Sequence, residues 1–226
     1  MTLTIYNDLE QGTDEWLQAR CGILTASVIG QLITPTNVKV ANNDTARALT
    51  ATLTAERITG YVEPAHVTAD MERGTLDEPY ARDAYAQWSG ARVEQVGFMV
   101  LDNWGTRLGF SPDGLVGEDG LIEIKSRRQK KHLQTIVNGE VPAENMAQIQ
   151  TGLLVSRRFW CDYVSFCSGM PLFVKRVYPS EKWFGAIIAA ALGFEKNAAS
   201  IIAAYTEATK NMPPTERIDH FADLEI

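Results

Sequence analysis

Thiols and imidazoles are scarce in this sequence. Cys21, Cys161 and Cys167 are scattered, with no Cys-x-x-Cys pair. That argues against a disulfide framework and leaves a four-thiolate zinc or iron–sulfur site without its ligands. His66, His132 and His220 lie far apart and form no zinc motif. Basic charge is in the minority: 21 Lys and Arg against 28 Asp and Glu leave a net charge of −7. This balance argues against a protein that coats nucleic acid indiscriminately. Long apolar runs are missing too, since the longest, Gly185 to Phe194, is too short to cross a bilayer. No membrane partner is expected. The segment Met1 to Asp8 lacks the basic and apolar regions of a secretion signal, so the expected location is cytoplasmic. Repeats, low-complexity segments and long linkers are also absent. The length of 226 residues suits one domain, residues 1–226, with a real core.

What is present reads as alternating helices and strands. Thr13 caps a short helix through Arg20, with Asp14 and Glu15 in its first turn and Gly22 ending it. Thr25 to Ile33 reads as a second helix with hydroxyls at its start, and residues 35–44 as a polar loop. Thr45 to Ile58 reads as a helix stopped at Gly60. Leu76 to Trp88 reads as another, with Pro79 in its first turn. Strands are expected over Arg92 to Leu101, Leu108 to Phe110, Gly114 to Val116 and Leu121 to Lys125. Pro142 opens a helix to Val155. Phe159 to Cys167 and Leu172 to Tyr178 read as a strand pair. Glu181 to Asn211 reads as a long amphipathic helix, broken near Gly193. The fold class is α/β or α+β: a mixed central β-sheet flanked by helices.

One stretch carries chemistry. Ser111-Pro112-Asp113-Gly114 is followed by a Gly117-to-Gly120 turn and then by Glu123-Ile124-Lys125. Strand, turn and strand make a hairpin. Side chains alternate faces along a strand, so Glu123 and Lys125 share one. The hairpin brings Asp113 beside them. Two carboxylates and an ammonium on one patch suit a hard divalent cation and a lysine that steadies or deprotonates a water. The basic run Arg127-Arg128-Gln129-Lys130-Lys131-His132 follows directly and is a candidate phosphate-binding strip.

Further marks lie in order along the chain: Trp16-Leu17-Gln18-Ala19-Arg20, Gly22-Ile23-Leu24-Thr25-Ala26-Ser27, Gly74-Thr75-Leu76-Asp77-Glu78-Pro79-Tyr80-Ala81-Arg82, and Met146-Ala147-Gln148-Ile149-Gln150. With Ser-Pro-Asp-Gly and Glu-Ile-Lys, this string resembles the phage lambda exonuclease family, the YqaJ-type viral recombinases of the PD-(D/E)xK nuclease superfamily. The resemblance spans Trp16 to Val155 and implies a restriction-endonuclease-like core. It implies that Asp113, Glu123 and the Ile124 backbone carbonyl hold Mg²⁺, with Glu78 serving a second ion or its waters. Mn²⁺ is the expected substitute. Lys125 would orient or activate the attacking water, and Gln148 would complete the catalytic set. Arg20, Thr25, Ser27, Ser111 and Gln148 would grip a terminal 5′-phosphate. The implied activity is digestion of the 5′-ended strand of linear duplex DNA, leaving a 3′ tail. The implied partners are double-stranded DNA ends, a ring of three identical subunits and a single-strand annealing protein. Met71 is a candidate wedge in the duplex, and the acidic tail Glu216 to Ile226 is expected either to contact a neighbouring subunit or the annealing protein or to be disordered. An endonuclease of the same superfamily and a non-catalytic DNA-end binder are the alternatives.

Overall fold

The computed structural model describes residues 1–64 and 67–218, so His66, His220 and residues 219–226 of the acidic tail lie outside the described residues. In chain order the elements are β1 (Thr2–Tyr6), α1 (Asp14–Arg20), β2 (Leu24–Thr25), a 3-10 turn (Ile29–Leu32), β3 (Ile33–Thr34), β4 (Lys39–Val40), α2 (Asp44–Thr59), α3 (Ala69–Ser89), β5 (Val93–Glu94), β6 (Phe98–Asn103), β7 (Thr106–Phe110), β8 (Gly114–Val116), β9 (Gly120–Ser126), α4 (Gln129–Asn138), α5 (Ala143–Ser156), β10 (Trp160–Phe166), β11 (Phe173–Val177) and α6 (Glu181–Thr209). A five-stranded sheet has the order β11-β10-β9-β8-β5, and a four-stranded sheet the order β1-β6-β7-β2. The larger sheet is mixed: β9 and β10 run parallel, and its other pairs are antiparallel. The expected hairpin is there, with Gly114 opposite Ile122 and Val116 opposite Gly120.

Strand β9 is central and covered on both faces, which explains its unbroken buried run from Gly120 to Ile124. Ile122 and Ile124 pack with Ala81 and Tyr85 of α3. The other face carries Leu121, Glu123 and Lys125 in turn. Leu121 sits in the main core with Ile149 and Leu153 of α5. Lys125 emerges at the strand's end, beside Gln148 of α5. Glu123 lies between them and is fully buried. The period of two thus forces an acid into the step between core and opening.

Several expectations need correction. Residues 25–33 do not form a helix. Leu24 and Thr25 pair in parallel with Leu108 and Gly109 of β7, and only Ile29–Leu32 turns as a 3-10 helix. Sheet pairing wins because the strands approach closely: a Cβ at Gly109 would meet Thr25 Cγ2 at 3.2 Å and Phe98 Cζ at 2.5 Å. Residues 35–44 contain half of a small hairpin, β3 with β4. Helix α3 begins at Ala69, capped by the Thr68 hydroxyl, so Pro79 falls in its interior. Pro79 and Thr75 are both exposed, which leaves the carbonyl freed by the proline accessible to water. The expected strand from Arg92 to Leu101 divides into β5 and β6 around Gly97, where a Cβ would meet the Leu9 carbonyl oxygen at 2.2 Å. Helix α6 runs unbroken through Gly193. By length and composition it could cross a membrane, yet Trp183, Ile187, Ala191, Phe194 and Ala198 are buried in the fold.

Candidate active site

Seven elements (α1, β2, α3, β6, β7, β9 and α5) meet around a cleft of about 460 Å³ whose lining includes Arg20, Ser27, Glu78, Asp113, Lys125 and Gln148. Asp113 precedes β8, and the Ile124 N–H donates to its Oδ2 at 2.6 Å, tying the first strand's entrance to the second strand. Lys125 Nζ lies 2.6 Å from Glu123 Oε1 and donates to Gln148 Oε1 at 3.1 Å. The lysine–glutamate approach is an ion pair without hydrogen-bond alignment: both Glu123 oxygens are buried and have no hydrogen-bond partner. A buried polar atom left unpaired is costly, and sites that recruit a ligand are where such atoms occur.

The electrostatics follow from this crowding. Burial drives the Glu123 carboxyl up to about 7, against the Lys125 ammonium and with repulsion from Asp113 and Glu78. Burial also lifts Glu78 to about 7, reinforced by the Asp113 charge and opposed by Arg82 and Lys125. Asp113 is raised by burial, against Lys125, the Ile124 N–H and Arg82. Burial works against the Lys125 ammonium, but Glu123 and Asp113 outweigh it and hold the group above its usual 10.5. Lys125 is therefore a cation here, suited to orienting a water or balancing charge.

The residues present suit a hard cation. Asp113 and Glu123 offer oxygen donors, two of them buried and unpartnered, and Ile124 lines the cleft. Mg²⁺ keeps several waters, so such a partial oxygen cage suffices. Glu78 lines the same cleft as Asp113 and feels its charge, but its carboxylate is held by Arg82, four residues on along α3. Among the described residues no group of three or more His, Cys, Asp or Glu side chains is arranged to hold a metal.

The second predicted cluster also assembles. Arg20 donates from its terminal nitrogen to the Thr25 and Ser27 hydroxyls, each at 3.3 Å, and those hydroxyls lie 3.0 Å apart. Its guanidinium stacks 3.8 Å above the Trp16 ring, and Trp16 Nε1 donates to Ser111 Oγ at 3.1 Å. Burial lowers Arg20 to about 10, opposed by Glu56. Arg20 remains charged at neutral pH and aims at small hydroxyls rather than at a carboxylate, an arrangement suited to an anion. Thr25 is positioned by the β2–β7 pairing, not by a helix end as the sequence implied.

Two contributors escaped the sequence reading as site residues. Arg82 binds Glu78 and also donates from Nε to the Asp113 backbone carbonyl at 2.9 Å. Trp16 aligns Arg20 and Ser111 at once. Each sits four residues from a partner on one helix, a spacing that carries the signal. Of the basic run, His132 is buried between Ser165 and the Pro171 carbonyl, and Lys131 pairs with Glu144. Neither enters the cleft. Met71 lines the cleft and is exposed.

The chain is similar to solved nucleases. An alkaline exonuclease (LHK-Exo) from Laribacter hongkongensis is 32% identical with a TM-score of 0.77, covering 89% of this chain and 100% of that one. The structure of LHK-Exo in complex with dAMP matches to the same extent. A phage related exonuclease from Haemophilus somnus 129PT, with a TM-score of 0.60, covers 81% of this chain and 96% of its own. At 11% identity, that likeness is one of fold. No curated protein matches the chain. The description of the YqaJ-like viral recombinase domain fits residues 15–158, well over half of the sequence and all of the cleft's predicted residues. The chain belongs to the YqaJ-like viral recombinase family.

Proposed function

We propose that this protein, a nuclease acting on DNA, is a divalent-metal-dependent exonuclease that consumes the 5′-ended strand of linear duplex and leaves a 3′ single-stranded tail. One observation carries the reading: Asp113 and Lys125 line the same cleft as an arginine–hydroxyl pocket, and the carboxylate paired with Lys125, that of buried Glu123, has no hydrogen bond on either oxygen. Asp113, Glu123 and the Ile124 carbonyl would hold Mg²⁺, with Mn²⁺ as substitute, and Glu78 would serve a second ion or its waters once released from Arg82. A bound divalent cation supplies charge stabilisation at phosphorus and an acidified water. Lys125, cationic and braced by Gln148, orients the attacking water and balances charge developing on the phosphate. Arg20, Thr25, Ser27 and Ser111 grip the terminal 5′-phosphate, which sets the distance between the strand's end and the bond cut. The complex of LHK-Exo with dAMP supports such a pocket. A ring of three subunits and a single-strand annealing partner are further parts of this proposal, supported by family membership alone.

The test is linear duplex DNA labelled separately at each 5′ and 3′ end. We expect Mg²⁺-dependent release of the 5′ label first, with closed circular duplex left whole. Cutting of the circle would establish an endonuclease instead, and digestion indifferent to chelator would remove the metal.

A further inference from the structure

We propose that a second pocket, separate from the cleft but sharing a wall with it, holds a backbone phosphate of the bound DNA. The inference rests on the nuclease reading above and extends it to where the rest of the substrate lies. The pocket, about 470 Å³, is lined by Arg73, Arg127, Arg128 and Lys130, with Asp77 as its one acid. Such a concentration of cations is unusual in a chain of net charge −7. Asp70 and Glu144 offset part of it: Asp70 pairs with Arg73 at 2.5 Å and Arg128 at 2.8 Å, and Glu144 lies 3.9 Å from Arg127. Lys130 makes no ion pair among the described residues. Arg127 is anchored through a terminal nitrogen to Asn145 Oδ1 at 2.6 Å, while its buried Nε has no partner.

The local backbone points the same way. Helix α4 starts at this pocket without a side-chain cap and with no acid in its first turn. Lys130 and Lys131 occupy that turn instead. Cations at a helix N-terminus oppose its dipole, whereas an anion there is favoured by dipole and lysines alike. The wall between the sites is a short chain of bonds: Arg73 Nε donates to Ser126 Oγ at 3.1 Å, and Ser126 Oγ donates to Asp77 Oδ2 at 2.6 Å. Ser126 faces the cleft, and Arg73 and Asp77 face the pocket. DNA with its end in the cleft therefore has a cationic seat next to it. A phosphodiester suits that seat because guanidinium and ammonium groups match its charge and its several acceptor oxygens.

Lys130 is exposed and bonded to no other side chain among the described residues, so its replacement should leave the fold and the cleft intact. The experiment measures binding of 5′-phosphorylated duplex in Ca²⁺ over a range of salt concentrations, for the parent, Lys130→Ala and Lys130→Glu. A 5′-phosphorylated dinucleotide, too short to reach the pocket, is the control ligand. We expect duplex affinity to fall about 10-fold in Lys130→Glu and the salt-dependence slope to fall by about one in Lys130→Ala, with dinucleotide binding unchanged. Duplex affinity and slope equal to the parent's in both variants would overturn the proposal, as would an equal loss for the dinucleotide. The parent's own Mg²⁺-driven digestion, measured alongside, keeps the two claims apart: failure there strikes the nuclease reading, and success with unchanged variants strikes this pocket alone.

Discussion

Two acids lie at the same depth on the neighbouring parallel strands β9 and β10. Asp162 points toward α3, where Arg176 grips both its oxygens at 2.8 Å and the Tyr85 hydroxyl donates at 2.7 Å. Glu123, opposite Tyr163 in the next register step, points toward α5 and has no hydrogen bond on either oxygen. The two are alike in burial and chemistry and differ in what the chain puts around them. A buried charge that is fully bonded is ordinary architecture. Glu123 has only the Lys125 ammonium, 2.6 Å away and without hydrogen-bond alignment, and it sits near a cleft lined by that lysine and another acid, Asp113. The difference separates an acid whose oxygens are both hydrogen-bonded from one that is held by charge alone.

The contrast is broken most violently on the side of Glu123. Asp113→Ala should reduce Mg²⁺-dependent digestion on the order of 10³-fold or more while the circular dichroism spectrum stays that of the parent. Robust turnover by that variant would detach the hairpin from the chemistry. Lys125→Ala should lose turnover comparably yet still shift duplex ends in a Ca²⁺ gel.

On the side of Asp162 the roles exchange. Asp162→Ala leaves the buried Tyr85 hydroxyl without its acceptor, while the exposed Arg176 is rehydrated, and should destabilise the protein by about 1–3 kcal/mol without altering the rate per folded molecule. Glu123→Gln should do the reverse, abolishing digestion while leaving the metal-free protein as stable as before or up to about 1 kcal/mol more so. Denaturant melts of both variants, run together, decide the matter; equal destabilisation would mean that the two acids are equivalent structural groups.

A smaller effect is expected at the hydroxyl pocket. Arg20→Ala should shrink the preference for 5′-phosphorylated over 5′-hydroxyl ends by about 10- to 100-fold, the value of a lost charge-assisted bond. An unchanged ratio would take Arg20 out of end recognition.

The gentlest probe is pH. Glu123 and Glu78 titrate near 7 when folded, against an ordinary 4.5. The folded protein therefore binds protons between those values that the unfolded chain has already released. Their contribution to stability is complete below 4.5 and is lost as pH climbs through about 7. The melting temperature of the metal-free protein should accordingly fall across that window by a few degrees. Added Mg²⁺ should raise it more at pH 8 than at pH 6. A flat or rising profile would show that these acids are not held in a proton-retaining environment.

The hairpin was legible because a strand's period is short and strict: once Glu123 and Lys125 share a face, little else has to be right. The cap at Thr13 and the left-handed stop at Gly60 were equally local. The segment from Thr25 to Ile33 was not legible. Its hydroxyls mimic a helix start, and only the distant Gly109 makes room for a strand there. Pro79 misled for a related reason: the true start of α3 lies at Ala69, behind the Thr68 cap, in a stretch with little apolar periodicity to mark it. The basic run looked like one strip, whereas helix α4 turns His132 inward and leaves Lys130 and Arg128 outside. Arg82 illustrates the general limit. Its bond to Glu78 is a helical neighbour's, but its bond to the Asp113 carbonyl crosses from helix to sheet and exists only after folding.

That same arginine has a mechanical consequence. One planar group clasps a carboxylate on α3 and the peptide that carries Asp113, so helix and turn cannot slide past each other without breaking a bond at one end. Since Arg82 and Glu78 share α3, the tie between the two elements is the Nε bond to the Asp113 carbonyl, and a displacement of α3 that breaks it also frees the acid-bearing turn.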